Sequence, residues 1–139
     1  MAMTDTLVDT NVLLDVLAKD SQWFAWSSRM LADALDQGAV VINQIVYAEV
    51  GSGFREKEAL DEILTEHPFV REDLPWDAAF GAGQVYLAYR RRGGVRTAPL
   101  PDFFIGAHAA SRGYRLLTRD RGNYAVYFPE LQIISPERP

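Results

Sequence analysis

Short apolar runs and helically patterned segments alternate along this chain, and the alternation narrows the fold more than any other feature. The first run is Thr6–Val8, and a short helix opens after Thr10 and Asn11. A second helix over about 22–37 carries Trp23, Trp26, Met30, Ala34 and Leu35 at helical spacing and stops at Gly38. "AVVIN" (39–43) is apolar throughout, as a strand buried on both faces should be. "QIVYAEV" (44–50) reads as a short helix, 56–67 as another, and "FVRED" (69–73) as a third strand. A long helix over 75–92 opens with Pro75 and closes at Gly93 and Gly94. Residues 102–113 form a further helix, with strands at 114–118 and 131–135. Strands interleaved with helices imply an α/β fold with a mostly parallel sheet covered on both faces. Right-handed crossovers then place the carboxyl ends of the strands along one edge, where such folds bind ligands.

A chain of 139 residues is most simply one domain over 1–139, and 48% apolar residues are ample for its core. There are no cysteines, which excludes disulfides, thiolate metal sites and a cysteine nucleophile. No run approaches the ~20 apolar residues of a membrane span, and no secretory pattern opens the chain. A soluble, cytoplasmic protein is the expectation. The net charge of −5 argues against a general nucleic-acid coat but not against an enzyme that meets nucleic acid locally. Of the 14 basic residues only Lys19 and Lys57 are lysines. The arginines suit bidentate pairing with phosphates or carboxylates.

The carboxyl edge gathers acids. Asp9 directly follows the first strand, and Asp120 lies just beyond the fourth. The helix opened by Asp102 feeds the fourth strand, so its beginning points back to the same edge. Glu49 is the weakest geometric case: six residues past Asn43, it stands ~9 Å along its helix unless that helix starts late or rises above the edge. Each acid also has an ordinary role available. Asp9 and Asp102 are good helix caps, worth ~1 kcal/mol, Asp120 suits a turn, and Glu49 suits a solvated helix face. Those separate roles do not explain why the acids share one edge.

Two carboxylates ~5 Å apart repel by ~3 kcal/mol at an effective dielectric near 20. A cluster of them raises its own pKa values or recruits a cation. The only basic residue at a strand end here is Arg119. Carboxylates without histidine or cysteine suit Mg²⁺ or Mn²⁺ rather than zinc, and metal-assisted phosphodiester hydrolysis is the leading chemistry.

With those residues in place the sequence resembles a PIN-domain ribonuclease, specifically a VapC-type toxin. The resemblance is carried by "LVDTNVLLD" (7–15), "NQIVYAEV" (43–50), "PLPDFFIGAHAASRGYRLLTRDRGNY" (99–124) and "YFPELQIISP" (127–136), nearly the whole chain. It implies a three-layer α/β/α sandwich around a parallel sheet of about five strands. It implies that Asp9, Glu49, Asp102 and Asp120 form a Mg²⁺ or Mn²⁺ site cutting single-stranded RNA, and so places Glu49 in the site. The implied reaction is displacement at phosphorus by activated water, leaving a 5′-phosphate and a 3′-hydroxyl. Thr10, Asn11 and Thr118 are candidates for orienting the ligating carboxylates. The resemblance also implies a VapB-type antitoxin as partner, and self-association into a homodimer.

"YRRRGGVR" (89–96) precedes Asp102, so Arg90, Arg91, Arg92 and Arg96 are candidates for contact with RNA backbone. Arginines in a last helical turn also complement the macrodipole, a sufficient structural reason for them. His108, well around its helix from Asp102, reads as a packed residue; Trp23, Trp26 and Trp76 read as core or interface. A receiver domain would want adjacent acids after the first strand, where Thr10 stands, and a haloacid-dehalogenase phosphatase would want an aspartate where Asn11 stands. The remaining rival is a non-cleaving RNA-binding or regulatory module that keeps the fold and the metal.

Overall fold

The computed structural model describes residues 4–93 and 100–136. The elements run β1 (Thr6–Val8), α1 (Thr10–Leu17), α2 (Phe24–Gln37), β2 (Val40–Ile42), α3 (Gln44–Gly51) and α4 (Lys57–Thr65). They continue with β3 (Phe69–Arg71), α5 (Trp76–Arg91), α6 (Leu100–Arg112), β4 (Arg115–Leu117), α7 (Gly122–Tyr127) and β5 (Ile133–Ile134). The five strands form one sheet in the order β3-β2-β1-β4-β5, and every pairing is parallel. The expected α/β sheet is therefore present.

Strand order fixes where the layers lie. The chain steps from β1 to β2 to β3 in one direction, then crosses back to β4 and β5 on the far side of β1. Right-handed crossovers put α1–α4 on one face and α5–α7 on the other. Accordingly α1 packs against α2 and α3, while α6 packs against α5 and α7. The direction reverses between the neighbours β1 and β4, which makes their carboxyl ends the switch point of the sheet.

The central strands are covered on both faces, so Leu7, Val8, Val40, Val41, Ile42, Leu116 and Leu117 are all buried. Each such side chain contributes about 1.5–3 kcal/mol relative to exposure. The edge strand β3 shows the contrast, with Val70 exposed. Two glycines mark close approaches: a Cβ on Gly106 would stand 2.4 Å from the Phe128 ring, and one on Gly38 2.1 Å from the Thr4 carbonyl oxygen. Gly38 thus ends α2 and lets the chain entering β1 pass beside it.

Several expectations shift. The first strand is Thr6–Val8 as read, while the other four are shorter than read, because pairing covers only two or three residues of each run. Helix α6 starts at Leu100, which places Asp102 inside its first turn instead of at its cap. Helix α7 was not read from the sequence at all; its six residues are too few to show a period. Trp76, on α5, is 90% exposed and lies outside the core. His108 is packed as expected, fully buried, with its ring nitrogens at 3.0 Å from Asn43 Nδ2 and 2.9 Å from Glu72 Oε1. Because Asn43 Oδ1 is taken up by the Val46 N–H, its Nδ2 donates to His108 Nδ1, which leaves Nε2–H facing Glu72.

Candidate active site

Asp9 leaves β1 in an extended conformation and caps α1, its Oδ1 accepting the Thr10 N–H at 2.8 Å. Its backbone N–H donates to the Leu117 carbonyl at 2.9 Å, so the cap is tied to the neighbouring strand β4. Oδ2 accepts from Thr118 Oγ1 at 2.8 Å and from the Tyr124 hydroxyl at 3.1 Å, with Asn11 Nδ2 at 3.4 Å. The capping role is real. It accounts for one oxygen and leaves the other facing donors from three further residues.

Glu49 lies in the second turn of α3, and α3 packs against α1. Thr10 Oγ1 donates to Glu49 Oε1 at 2.7 Å. Helix α3 does not start late; its packing on α1 is what aims the second turn at the strand ends. Asp102 comes from the first turn of α6, on the opposite layer. Asp120 follows β4, its N–H donating to Thr118 Oγ1 at 3.1 Å. A Cβ at Gly122, whose φ is +25°, would lie 2.9 Å from Asp120 Oδ1, so the carboxylate rests against a bare backbone.

Asp9, Glu49, Asp102 and Asp120 line one pocket of about 230 Å³ with Thr10, Asn11, Leu14 and Tyr124. Among the described residues no lysine, arginine or histidine lines it. Arg119 turns away: its Nε and Nη2 reach Asp15 at 2.7 and 3.0 Å. Burial raises the Asp9 carboxyl above the ordinary range, with the Glu49 charge adding to it, while bonds from Thr118, Thr10 and Tyr124 pull it back. Burial also pushes Asp102 up to about 6, and the charges of Asp9, Glu49 and Asp120 act the same way. Asp9 and Asp102 thus feel the charges of the acids beside them.

A hard divalent ion fits this donor set: oxygen ligands, excess negative charge and no competing cation among the described residues. Among the described residues no group of three or more acidic or histidine side chains is already closed to metal-binding geometry. An ion would have to draw the carboxylates inward. Asn11 and Thr118 both reach the Asp9 carboxylate and each other, Asn11 Nδ2 lying 3.3 Å from Thr118 Oγ1, and Asn11 Oδ1 accepts the Arg119 N–H at 3.1 Å.

Tyr124 was missed in the sequence. Buried on α7, it carries a hydroxyl proton that burial and the charges of Asp9 and Asp102 hold far more tightly than usual. The only local signal was an aromatic residue four positions after Asp120, and without α7 it had no direction. Leu14, which is 40% exposed on the pocket wall, was missed as well.

Arg90, Arg91 and Arg92 are not among the residues that line the pocket. Arg90 and Arg91 occupy the last turn of α5 and are exposed, and Arg92 lies 5.6 Å from the Tyr127 ring centroid. Tyr89 packs on Phe103 at 5.5 Å, which brings this end of α5 next to the first turn of α6 and Asp102. Arg96 lies outside the described residues.

Comparison with known proteins agrees with this fold. VapBC2 from Rickettsia felis, solved with a DNA fragment from its promoter, has a chain that superposes with a TM-score of 0.73 at 19% identity, covering 96% of this chain and 100% of that one. VapBC-1 from nontypeable Haemophilus influenzae gives 0.71 at 20% identity over 95% and 98%. VapC20 of Mycobacterium tuberculosis, a toxin that cleaves the sarcin–ricin loop, gives 0.69 at 15% identity over 94% and 99%. No curated protein matches the sequence. The PIN domain family matches residues 6–129, the span from β1 through the end of α7, and the chain belongs to that family.

Proposed function

We propose that the protein is a Mg²⁺- or Mn²⁺-dependent endoribonuclease of the VapC type, acting as the toxin of a toxin–antitoxin pair. The observation that carries the reading is the set of four carboxylates from four separate segments lining one pocket, with no counter-cation among the described residues. The shape shared with VapC toxins, one of them a cleaver of the sarcin–ricin loop, supports RNA as substrate. Structures of VapBC complexes support a VapB-type antitoxin as partner. Self-association into a homodimer and a cytoplasmic location belong to the same reading; among the described residues no helix is long and apolar enough to cross a membrane.

In this reading Asp9 and Asp102 hold the ion, with Asp120 and Glu49 completing its surroundings or orienting water. Bound there, the ion supplies Lewis acidity to the phosphodiester and to its attacking water. Thr118, Tyr124 and Asn11 keep the Asp9 carboxylate in one rotamer, and Thr10 does the same for Glu49. The basic end of α5 offers positive charge to backbone approaching Asp102. Purified protein incubated with cellular RNA should cleave it with Mg²⁺ or Mn²⁺, and should not in excess chelator or as Asp9→Asn. Metal-independent cleavage rejects the proposal, and RNA binding without cleavage points to a regulatory module. In cells, arrest of growth by the wild type, but not by Asp9→Asn, with rescue by a co-expressed VapB-type antitoxin, tests the toxin role.

A further inference from the structure

We propose that Arg119 and Asp15 are a positioning pair that holds the Asp120 carboxylate in the pocket. What Asp120 does there rests on the metal reading above; the pair itself rests on geometry. Arg119 and Asp120 are consecutive, yet their side chains part: Asp120 lines the pocket while Arg119 reaches back along α1. Asp15 is 2% exposed and receives Arg119 Nε on Oδ2 at 2.7 Å and Nη2 on Oδ1 at 3.0 Å. Ser27 Oγ, from α2, donates to the same Oδ2 at 2.6 Å. The guanidinium carbon lies 5.3 Å from the Trp23 ring centroid, and the Arg119 N–H donates to Asn11 Oδ1 at 3.1 Å.

Each part has a physical reason. A carboxylate as buried as Asp15 needs charged or hydrogen-bonding partners, and the planar fork of arginine satisfies both oxygens at once. Asp120, by contrast, is exposed, and the charge of Asp102 lies close enough to feel it. Neither burial nor attraction orders such a carboxylate, so its backbone must be held, on one side by Thr118 Oγ1, which accepts the Asp120 N–H at 3.1 Å, and on the other through Arg119. Helix α1 does this as a ruler. It carries Asp9 at its cap, Asn11 in its first turn and Asp15 about 9 Å from Asp9 along the axis, and Arg119 is gripped by the last two. The distance from Asp9 to Asp120 is thereby held by α1 together with Thr118, which bonds both residues.

The test compares the wild type with Arg119→Gln, Arg119→Lys and Asp15→Asn. Amide hydrogen exchange on metal-free protein reads the segment, and Mn²⁺ binding followed by the spin-resonance signal of the free ion reads the site. Arg119→Gln strands a carboxylate that is 2% exposed, whereas Asp15→Asn removes the buried charge itself, so Asp15→Asn folds even where Arg119→Gln does not. The expected result is faster exchange confined to the Arg119 and Asp120 amides, and Mn²⁺ affinity about 10–100-fold weaker. Arg119→Lys keeps the charge without the fork and recovers part of both. Unchanged exchange at these two amides overturns the proposal, as does a uniform rise across the whole chain. Faster local exchange with wild-type Mn²⁺ affinity also overturns it. A wild type that binds no Mn²⁺ rejects the metal reading instead, and the exchange comparison alone then decides the pair.

Discussion

Thr118 and Asp9 meet across the β1–β4 boundary, the Thr118 hydroxyl donating to Asp9 Oδ2 at 2.8 Å one residue past the point where the Asp9 N–H bonds the Leu117 carbonyl. Two strands distant in sequence thus end on a single carboxylate. The sheet's switch point and the centre of the acidic pocket are the same place.

Replacing Thr118 with valine keeps the shape and removes this donor. Asp9 keeps Thr10 and Tyr124, so the fold should survive at a cost of about 1–2 kcal/mol in urea denaturation of the metal-free protein. Mn²⁺ affinity should fall about 10–100-fold, as for other residues that orient metal ligands. Wild-type affinity in this variant would remove Thr118 from the site.

Asp102 gives a pH signature. Its carboxyl sits at about 6 in the folded chain against 3.8 for an unperturbed aspartate, so between those values the folded state binds more protons than the unfolded one. Stability of the metal-free protein from this group therefore falls as pH rises from about 4 to about 6, and stays low above. Asp102→Asn should flatten that stretch of a melting-temperature profile and raise Tm at pH 7.5 by a few degrees, roughly 2–8 °C per kcal/mol. Added Mn²⁺ should raise the wild-type Tm and leave the variant nearly unmoved. A steeper profile or a lower Tm in Asp102→Asn would contradict this account.

Gly122 tests the seat of Asp120. An alanine there would put a Cβ 2.9 Å from the carboxylate oxygen and hold a positive φ that side chains disfavour. Gly122→Ala should cost about 1 kcal/mol of stability while reducing metal-dependent RNA cleavage about a hundredfold, since small displacements at a reacting centre are that costly. Cleavage at the wild-type rate would show that Asp120 tolerates being moved.

Arg90, Arg91 and Arg92 are to be judged by salt. If each neutralises a phosphate, its alanine variant weakens RNA binding at every sequence and flattens the slope of log affinity against log salt by ~0.7 per lost contact. Fluorescence titrations from low to moderate salt measure that slope. An unaltered slope returns these arginines to capping the dipole of α5.

Much of the fold was legible because its signals are local. An apolar run between helical segments, a proline at a helix start and a glycine at its end depend on chain neighbours, and from them follow the parallel sheet and its functional edge. Asp9, Asp102 and Asp120 were legible for the same reason, since the topology alone brings a strand end or a helix start to that edge. What a side chain faces once there is not local. A helix turns about 100° per residue, so whether Glu49 meets the pocket depends on how α3 packs against α1, which no spacing within 44–50 specifies. Tyr124 needed the rotation of α7, and Arg119 needed a carboxylate 104 positions earlier that burial had left without enough partners. Sequence by itself determined the sheet, its edge and three of the acids; tertiary packing decided the fourth acid and the donors around Asp9, because helix rotation is fixed only by the surfaces a helix buries.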